Sequence, residues 1–395
     1  MRYASITERL GHLGGDKWQL HNRARERVAA GDEIIELTIG EPDIATSPEL
    51  VEHCVTALRK GRTRYSNGRG ETNLVSALVD AYAPRLPGIG ADNVLCFPGT
   101  QTALFATMLA LVEEGDGVLT GDPCYATYEG VASAAGAHLQ LVPLHMAHDF
   151  IMQPDDLRAA LTSRSRVLLL NTPHNPTGAV LDRATLEALG QICIEHDLWI
   201  VCDEVYEALI FEGEFVSPLE IDALRERTVV VSSISKSHAA TGFRSGWSIG
   251  PAAFSRRLLP ISETMLFGNQ PFIADMTEAA LREPFDTAER LRESLGRRAQ
   301  LVYDAVGEIA ELSASLPRGG MFLMVDVSKT GMDGDTFARR LLEEYDVAVM
   351  PGAAFGPSAS QLVRMALSVP DDVLLEAVAR MAALSRAPAV EATRG

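Results

Sequence analysis

From residue 93 to residue 249 the chain alternates short apolar, β-branched runs with stretches of helical spacing. Runs at 93–97, 117–120, 138–142, 166–170, 198–202, 228–232 and 246–249 read as seven strands. Helical stretches fall between most of them, notably 100–113 and 183–196. A run such as Leu198-Trp199-Ile200-Val201-Cys202 is apolar on both of its faces, so it needs cover on both sides. The alternation therefore implies an α/β fold with a seven-stranded, mostly parallel, doubly wound sheet. Sheets of this kind carry ligands outside the carboxyl ends of their strands. The residues just past each strand are then the place to look for chemistry.

After about residue 267 the pattern changes. Charged amphipathic helices are expected at 274–282 and 286–309. They are followed by strands at 321–325, 347–350 and 361–366, and by helices at 335–344 and 371–385. This reads as a smaller α+β domain. A short strand at 34–39 is expected to join it, leaving a cleft between the two parts. The expected division is an N-terminal segment 1–42, a large ligand-binding domain 43–280 and a small domain 281–395. Ser47 and Pro48 open a helix that runs to about Lys60. Residues 5–28 are partly helical, with Gly14-Gly15 as a break, and the tail 387–395 reads as frayed.

Composition excludes several classes of function. The formal net charge is -18, from 53 acidic and 35 basic residues, and there is no basic run or basic-aromatic stripe. Nucleic acid is therefore not an expected partner. The N-terminus lacks an apolar signal core, and no apolar run is long enough to span a membrane. The five cysteines are odd in number and lack CxxC spacing, so they read as reduced core thiols of a cytoplasmic protein. No metal site is expected.

The strand ends carry the functional signal. After Phe97 comes Pro98-Gly99-Thr100-Gln101, a glycine turn opening a helix. Free N–H groups there suit a phosphate, and equally an ordinary tight turn. After Thr120 comes Asp122-Pro123-Cys124-Tyr125, where Tyr125 could stack on a heteroaromatic ring or simply pack in its loop. After Leu170 the loop Asn171 to Gly178 holds two prolines and a glycine and presents Asn175, a neutral amide donor. After Cys202 comes Asp203-Glu204-Val205-Tyr206. An ionised Asp203 at the end of so apolar a strand needs a cationic partner, such as a protonated pyridine nitrogen; a helix N-cap is the plainer reading. Tyr206 could donate to the same oxygen as Asn175. After Ser232 comes Ser233-Ile234-Ser235-Lys236, with Arg244 eight residues further on. Lys236 could form a Schiff base with an aldehyde. Ser233, Ser235 and Arg244 beside it make an anion cradle. An aldehyde and a phosphate on one ligand describe pyridoxal phosphate. A solvated loop lysine is the alternative. Each signal is ambiguous alone, but the five strand ends converge on one ligand.

The motifs Ile39-Gly40-Glu41-Pro42-Asp43, Asn175-Pro176-Thr177-Gly178, Asp203-Glu204-Val205-Tyr206, Ser233-Ile234-Ser235-Lys236 and Gly242-Phe243-Arg244 together resemble those of class I/II aminotransferases of pyridoxal-phosphate fold type I. The resemblance extends to Val363-Arg364-Met365. It implies that Lys236 forms the internal aldimine with the aldehyde of pyridoxal 5'-phosphate and that Asp203 faces the pyridine nitrogen. It puts Asn175 and Tyr206 at the ring oxygen, and Tyr125 on the ring. Thr100, Gln101, Ser233, Ser235 and Arg244 fall on the phosphate. Tyr65, in the loop Arg64 to Gly70, matches a tyrosine that reaches over from the other subunit of a homodimer. Arg364, helped by the Gly40 backbone and Asn175, matches the substrate-carboxylate site. Within the family, Ser235-Lys236-Ser237-His238-Ala239, His196-Asp197-Leu198-Trp199 and Met265-Leu266-Phe267-Gly268 look most like arginine–pyruvate transaminases. Gln19 departs from the acidic residue expected there.

The activity implied is ping-pong transfer of an amino group from an L-amino acid to a 2-oxo acid, with Lys236, Asp203 and Tyr206 as the catalytic set. An aspartate- or aromatic-type aminotransferase, or a pyridoxal-phosphate carbon–sulfur β-lyase, would share these residues. A transcription regulator built on the same fold would need about 60 or more residues of DNA-binding module ahead of it. Only about 35 residues precede the first strand. A nicotinamide-binding enzyme would need G-x-G-x-x-G after its first strand, which Phe97-Pro98-Gly99-Thr100-Gln101-Thr102 does not supply.

Overall fold

The computed structural model describes residues 1–11, 13, 16–266 and 268–387. The Gly14-Gly15 break, Phe267 and residues 388–395 of the tail lie outside the described residues.

Seven strands form one sheet: β2 (Val94–Phe97), β3 (Gly117–Asp122), β4 (His138–Pro143), β5 (Ser165–Asn171), β6 (Trp199–Asp203), β7 (Thr228–Ser233) and β8 (Gly246–Ile249). Their order is β2-β8-β7-β6-β5-β3-β4. Every pair is parallel except the two that involve β8. The expected sheet is therefore present, with most strands one or two residues longer at their carboxyl ends than the apolar runs. Strands β2, β3 and β7 are buried along their whole length, as a sheet covered on both faces requires. Two apolar clusters, one on each face, do the covering. One holds Leu74, Leu78 and Ile192; the other holds Leu104, Met108 and Phe254.

The antiparallel β8 shapes the ligand edge. It brings its first residue to the place where β2 and β7 end, pairing Gly246 with both Phe97 and Ser233. Arg244 precedes it and so arrives at the same edge. A Cβ on Gly246 would meet the Gly99 carbonyl carbon at 2.7 Å and Ser232 O at 2.8 Å, so this crossing admits only glycine.

The C-terminal part contains β9 (Ser313–Ala314), β10 (Phe322–Asp326), β12 (Met350–Pro351) and β13 (Leu362–Ala366). They form a four-stranded antiparallel sheet in the order β12-β13-β10-β9. Helices Thr287–Gly307, Gly334–Tyr345 and Asp371–Ser385 cover it, and their apolar faces form a separate cluster around Leu291, Val302, Phe337 and Met381. Two expectations change here. The N-terminal strand pairs over only Ile35–Glu36 (β1), in parallel with Val347–Ala348 (β11). The expected strand at 347–350 is two strands in two sheets, because β11 pairs with β1 whereas β12 pairs with β13. Ser47 caps its helix as expected, accepting from Leu50 N at 3.3 Å.

Candidate active site

The five loops at the carboxyl ends of β2, β3, β5, β6 and β7 open on one cavity of about 230 Å³. Residues from the C-terminal sheet and the N-terminal segment close its other side. The cavity is lined by Gly40, Thr100, Gln101, Tyr125, Asn175, Asp203, Tyr206, Ser233, Ser235, Lys236, Arg244 and Arg364. Of the cofactor-, substrate- and catalytic-site residues expected from the sequence, Tyr65 does not line it; it stands 93% exposed on the surface of this chain.

Lys236 follows β7 in a short helix, Ile234–Ser237. Its Nζ donates to the Gly40 carbonyl oxygen at 2.5 Å. Burial lowers its ammonium from 10.5 to about 8, against the pull of Glu41. An amine held so is a better nucleophile near neutral pH than a solvated lysine.

Asp203 ends β6 and is 5% exposed. One carboxylate oxygen accepts from Tyr128 Oη at 3.0 Å and the other from Val205 N at 3.2 Å. Burial still outweighs these bonds and raises its carboxyl from 3.8 to about 6. No lysine or arginine is bonded to it among the described residues. A cationic ring nitrogen is the partner such a carboxylate lacks. The Asp203 carbonyl oxygen is held separately, by Asn171 Nδ2 at 2.8 Å.

At the β2 edge, helix Thr100–Leu111 begins directly after Gly99, whose φ is 88°. The Arg244 guanidinium occupies the place where a Gly99 side chain would be. Thr100 Oγ1 is buried with no hydrogen-bond partner. Ser233 and Ser235 line the same cavity. A helix N-terminus, a guanidinium and hydroxyls together make an anion site. Tyr125 packs edge-on to Tyr128, with ring centroids 5.5 Å apart.

Arg364 lies on β13 and is 2% exposed. Its Nη1 donates to Asn175 Oδ1 at 2.9 Å and its Nη2 to the Thr38 carbonyl oxygen at 2.5 Å. Its guanidinium carbon is 4.0 Å from the ring centroid of Phe322 and 4.4 Å from that of Phe355. Its Nε is buried and unpartnered. Burial lowers this guanidinium from 12.5 to about 10. A buried cation with only neutral partners is a site for an anion.

Tyr128, Phe322, Phe355 and Asn171 were not singled out by their sequence context. Tyr128 carried a signal, since it follows Tyr125 by three residues in the same loop and opens helix Tyr128–Ala134. Phe322 and Phe355 carried none, because their contact with Arg364 depends on how three separate segments meet.

Comparison with known proteins accords with this geometry. The family model "Aminotransferase class I and II" matches residues 32–381. The arginine–pyruvate transaminase of Pseudomonas aeruginosa is 40% identical over 383 residues, covering 97% of this chain and 98% of that protein. The aspartate aminotransferase of Bacillus subtilis is 30% identical, covering 91% of this chain and 93% of its own. The structure of Thermus thermophilus aspartate aminotransferase with maleate superimposes with a TM-score of 0.91 at 30% identity, over 97% of this chain and all of that one.

Proposed function

The chain belongs to the class I and II aminotransferases, which depend on pyridoxal 5'-phosphate, and from that premise we propose how its own residues divide the work of transamination. The cleft suits the cofactor: a buried carboxylate without a cation, an anion corner with an unpartnered hydroxyl, and a lysine of lowered pKa face one another.

In this reading Lys236 would bind the aldehyde, Asp203 would pair with the ring nitrogen, and Tyr125 would pack on the ring. Asn175 and Tyr206 hold the ring oxygen. Thr100, Gln101, Ser233, Ser235 and Arg244 hold the phosphate. The bound cofactor supplies an electron sink for the negative charge that develops at the substrate α-carbon. Arg364, with the backbone of Gly40 and the amide of Asn175, binds the α-carboxylate of donor and acceptor alike. With the cofactor and substrate bound, Lys236 Nζ would be the group that moves the proton at the substrate α-carbon, a role its lowered pKa suits. Asp203, held by Tyr128 and Val205, would stabilise a positive charge on the ring nitrogen. The observation that carries this reading is the convergence of Lys236, Asp203 and Arg364 on one cavity, from three separate strands.

The active unit is proposed to be a homodimer, with Tyr65 serving the site of a second copy. Its position on the surface and the loop resemblance support this. The proposed division into 1–42, 43–280 and 281–395 is supported by two separate larger sheets, each with its own main apolar cluster, although each cluster also takes residues from across these bounds, such as Met324 and Tyr206. A cytoplasmic setting is supported by five buried, unpaired cysteines. Among the described residues no helix is long and apolar enough to cross a membrane.

For the donor we propose arginine with pyruvate as acceptor, on the strength of the 40% identical transaminase. One observation favours a second reading, an aromatic donor. Among the residues lining the cavity Asp203 is the sole carboxylate, and the remaining wall includes Trp18, Ile39, Leu104, Val205 and Phe322. A panel of cationic, acidic and aromatic donors, followed by oxo-acid release from pyruvate-charged enzyme, decides between them. Arginine turning over at least tenfold faster than phenylalanine or aspartate supports the first reading, and phenylalanine leading supports the second.

A further inference from the structure

Two loops distant in sequence meet beside Arg364. One follows β3 and runs Asp122-Pro123-Cys124-Tyr125. The other precedes β13 and runs Phe355-Gly356-Pro357-Ser358. Ser358 N donates to both Asp122 carboxylate oxygens, at 3.3 and 3.2 Å. Ser358 Oγ donates to the Asp122 carbonyl oxygen at 2.6 Å. Cys124 N donates to the Phe355 carbonyl oxygen at 2.8 Å. The Asp122 carboxylate also occupies the place where a side chain on Gly356 would be, and Gly356 has a φ of 149°, so this position is built for glycine.

These bonds have a consequence at the site. Phe355, bonded through its carbonyl to Cys124 N, also stacks on the Arg364 guanidinium, with 4.4 Å from guanidinium carbon to ring centroid. A guanidinium stacked on an aromatic ring is restrained in plane, so its remaining donors point in a fixed direction. Tyr125 follows Asp122 by three residues and lines the cavity. Asp122 is itself buried and does not line that cavity.

We propose that Asp122 is a positioning residue for the carboxylate site: by holding Ser358 it seats Phe355 on Arg364 and fixes the fork that receives the substrate. This rests on the reading of Arg364 as the α-carboxylate arginine. The tie joins the end of β3 to the turn before β13 next to the Arg364 stack, so it is expected to act on substrate affinity more than on cofactor binding. An acceptor at this position suffices; a negative charge is not required.

The test uses holoenzyme titrated with 2-methylalanine, an amino acid without an α-proton, read by the change in cofactor absorbance. Asp122→Ala is expected to loosen binding tenfold or more and to raise KM for donor and oxo acid together. Its kcat at saturation and its resting cofactor spectrum should stay within about twofold of the parent. Asp122→Asn keeps an acceptor oxygen for Ser358 N and should recover most of the affinity. Ser358→Ala, which deletes only the hydroxyl bond, should move binding the same way by a smaller factor, and gives the answer if Asp122→Ala fails to fold. Affinity unchanged in both alanine variants overturns the proposal. So does Asp122→Asn loosening binding as much as Asp122→Ala. Arg364→Ala is measured alongside. If it leaves 2-methylalanine binding unchanged, the carboxylate reading fails and takes this proposal with it; if it abolishes binding while the Asp122 and Ser358 variants do nothing, only the positioning role is lost.

Discussion

Asn175 Oδ1 accepts a hydrogen bond from Arg364 Nη1 at 2.9 Å, across 189 positions of sequence. One amide that lines the cavity is thus bonded to the arginine proposed to hold substrate. A planar guanidinium can keep that bond, the bond to Thr38 O and a two-bond fork to a carboxylate at the same time. An ammonium cannot. Arg364→Lys should therefore weaken every donor and acceptor by about 2–5 kcal/mol, the range for breaking a buried charged pair. Steady-state kcat/KM for a cationic, an acidic and an aromatic donor checks this. The three should fall by similar factors with their ranking kept. A loss confined to acidic donors would show that Arg364 reads the side chain.

Asp203 is tied by Tyr128 and Val205 and needs no cofactor to keep its place. Asp203→Asn retains the shape and removes the charge. It should fold, bind cofactor and lose about a hundred- to a thousandfold in turnover, the scale for a preorganised electrostatic group. Stopped-flow half-reactions with a single donor give the number. A half-reaction rate within a few-fold of the parent would remove Asp203 from the mechanism.

The lowered pKa of Lys236 has a sign that can be followed. In the cofactor-free protein its folded value is about 8, below the unfolded 10.5. The folded chain therefore loses this proton first as pH rises. The cost of the buried charge is fully present below about pH 8 and is relieved between 8 and 10.5, so this group makes stability rise with pH across that window. The rate of Schiff-base formation with added cofactor should rise with a midpoint near 8. A midpoint near 10.5 would mean that the lysine is solvated.

Tyr65 is outside the cavity of its own chain. If it serves a second copy, a chain carrying Tyr65→Phe and a chain carrying Lys236→Ala complement each other in mixed dimers. One site of each hybrid then has both residues. Mixing the two weakly active or inactive variants under exchange conditions should restore part of the parent activity. Absence of any rescue would place Tyr65 in its own subunit or outside the site.

Much of the large sheet was legible because its strands are buried on both faces, which leaves apolar runs such as Leu198 to Cys202 with no rival reading. The site residues at strand ends were legible for a related reason. A charged or glycine-rich stretch directly after an apolar strand has little to do structurally, so Asp203 and Lys236 stood out. The features that stayed hidden depended on partners remote in sequence. Residues 34–39 look like one strand, yet pairing stops at Glu36, and the Thr38 carbonyl oxygen goes to Arg364 instead of a ladder. Residues 347–350 look continuous, yet Val349 separates strands that belong to different sheets. Phe355 and Ser358 gave no sign of their tie to Asp122, because their loop has the composition of any turn.

The central claim is that Lys236 holds the cofactor. Borohydride reduction of the holoenzyme, followed by proteolysis and mass mapping, tests it most directly. The account predicts one reduced pyridoxyl-phosphate adduct per chain, on the peptide containing Ser235-Lys236-Ser237, with loss of the holoenzyme's long-wavelength absorbance. An adduct on a different lysine, or an unmodified Lys236 in fully reduced enzyme, would contradict it.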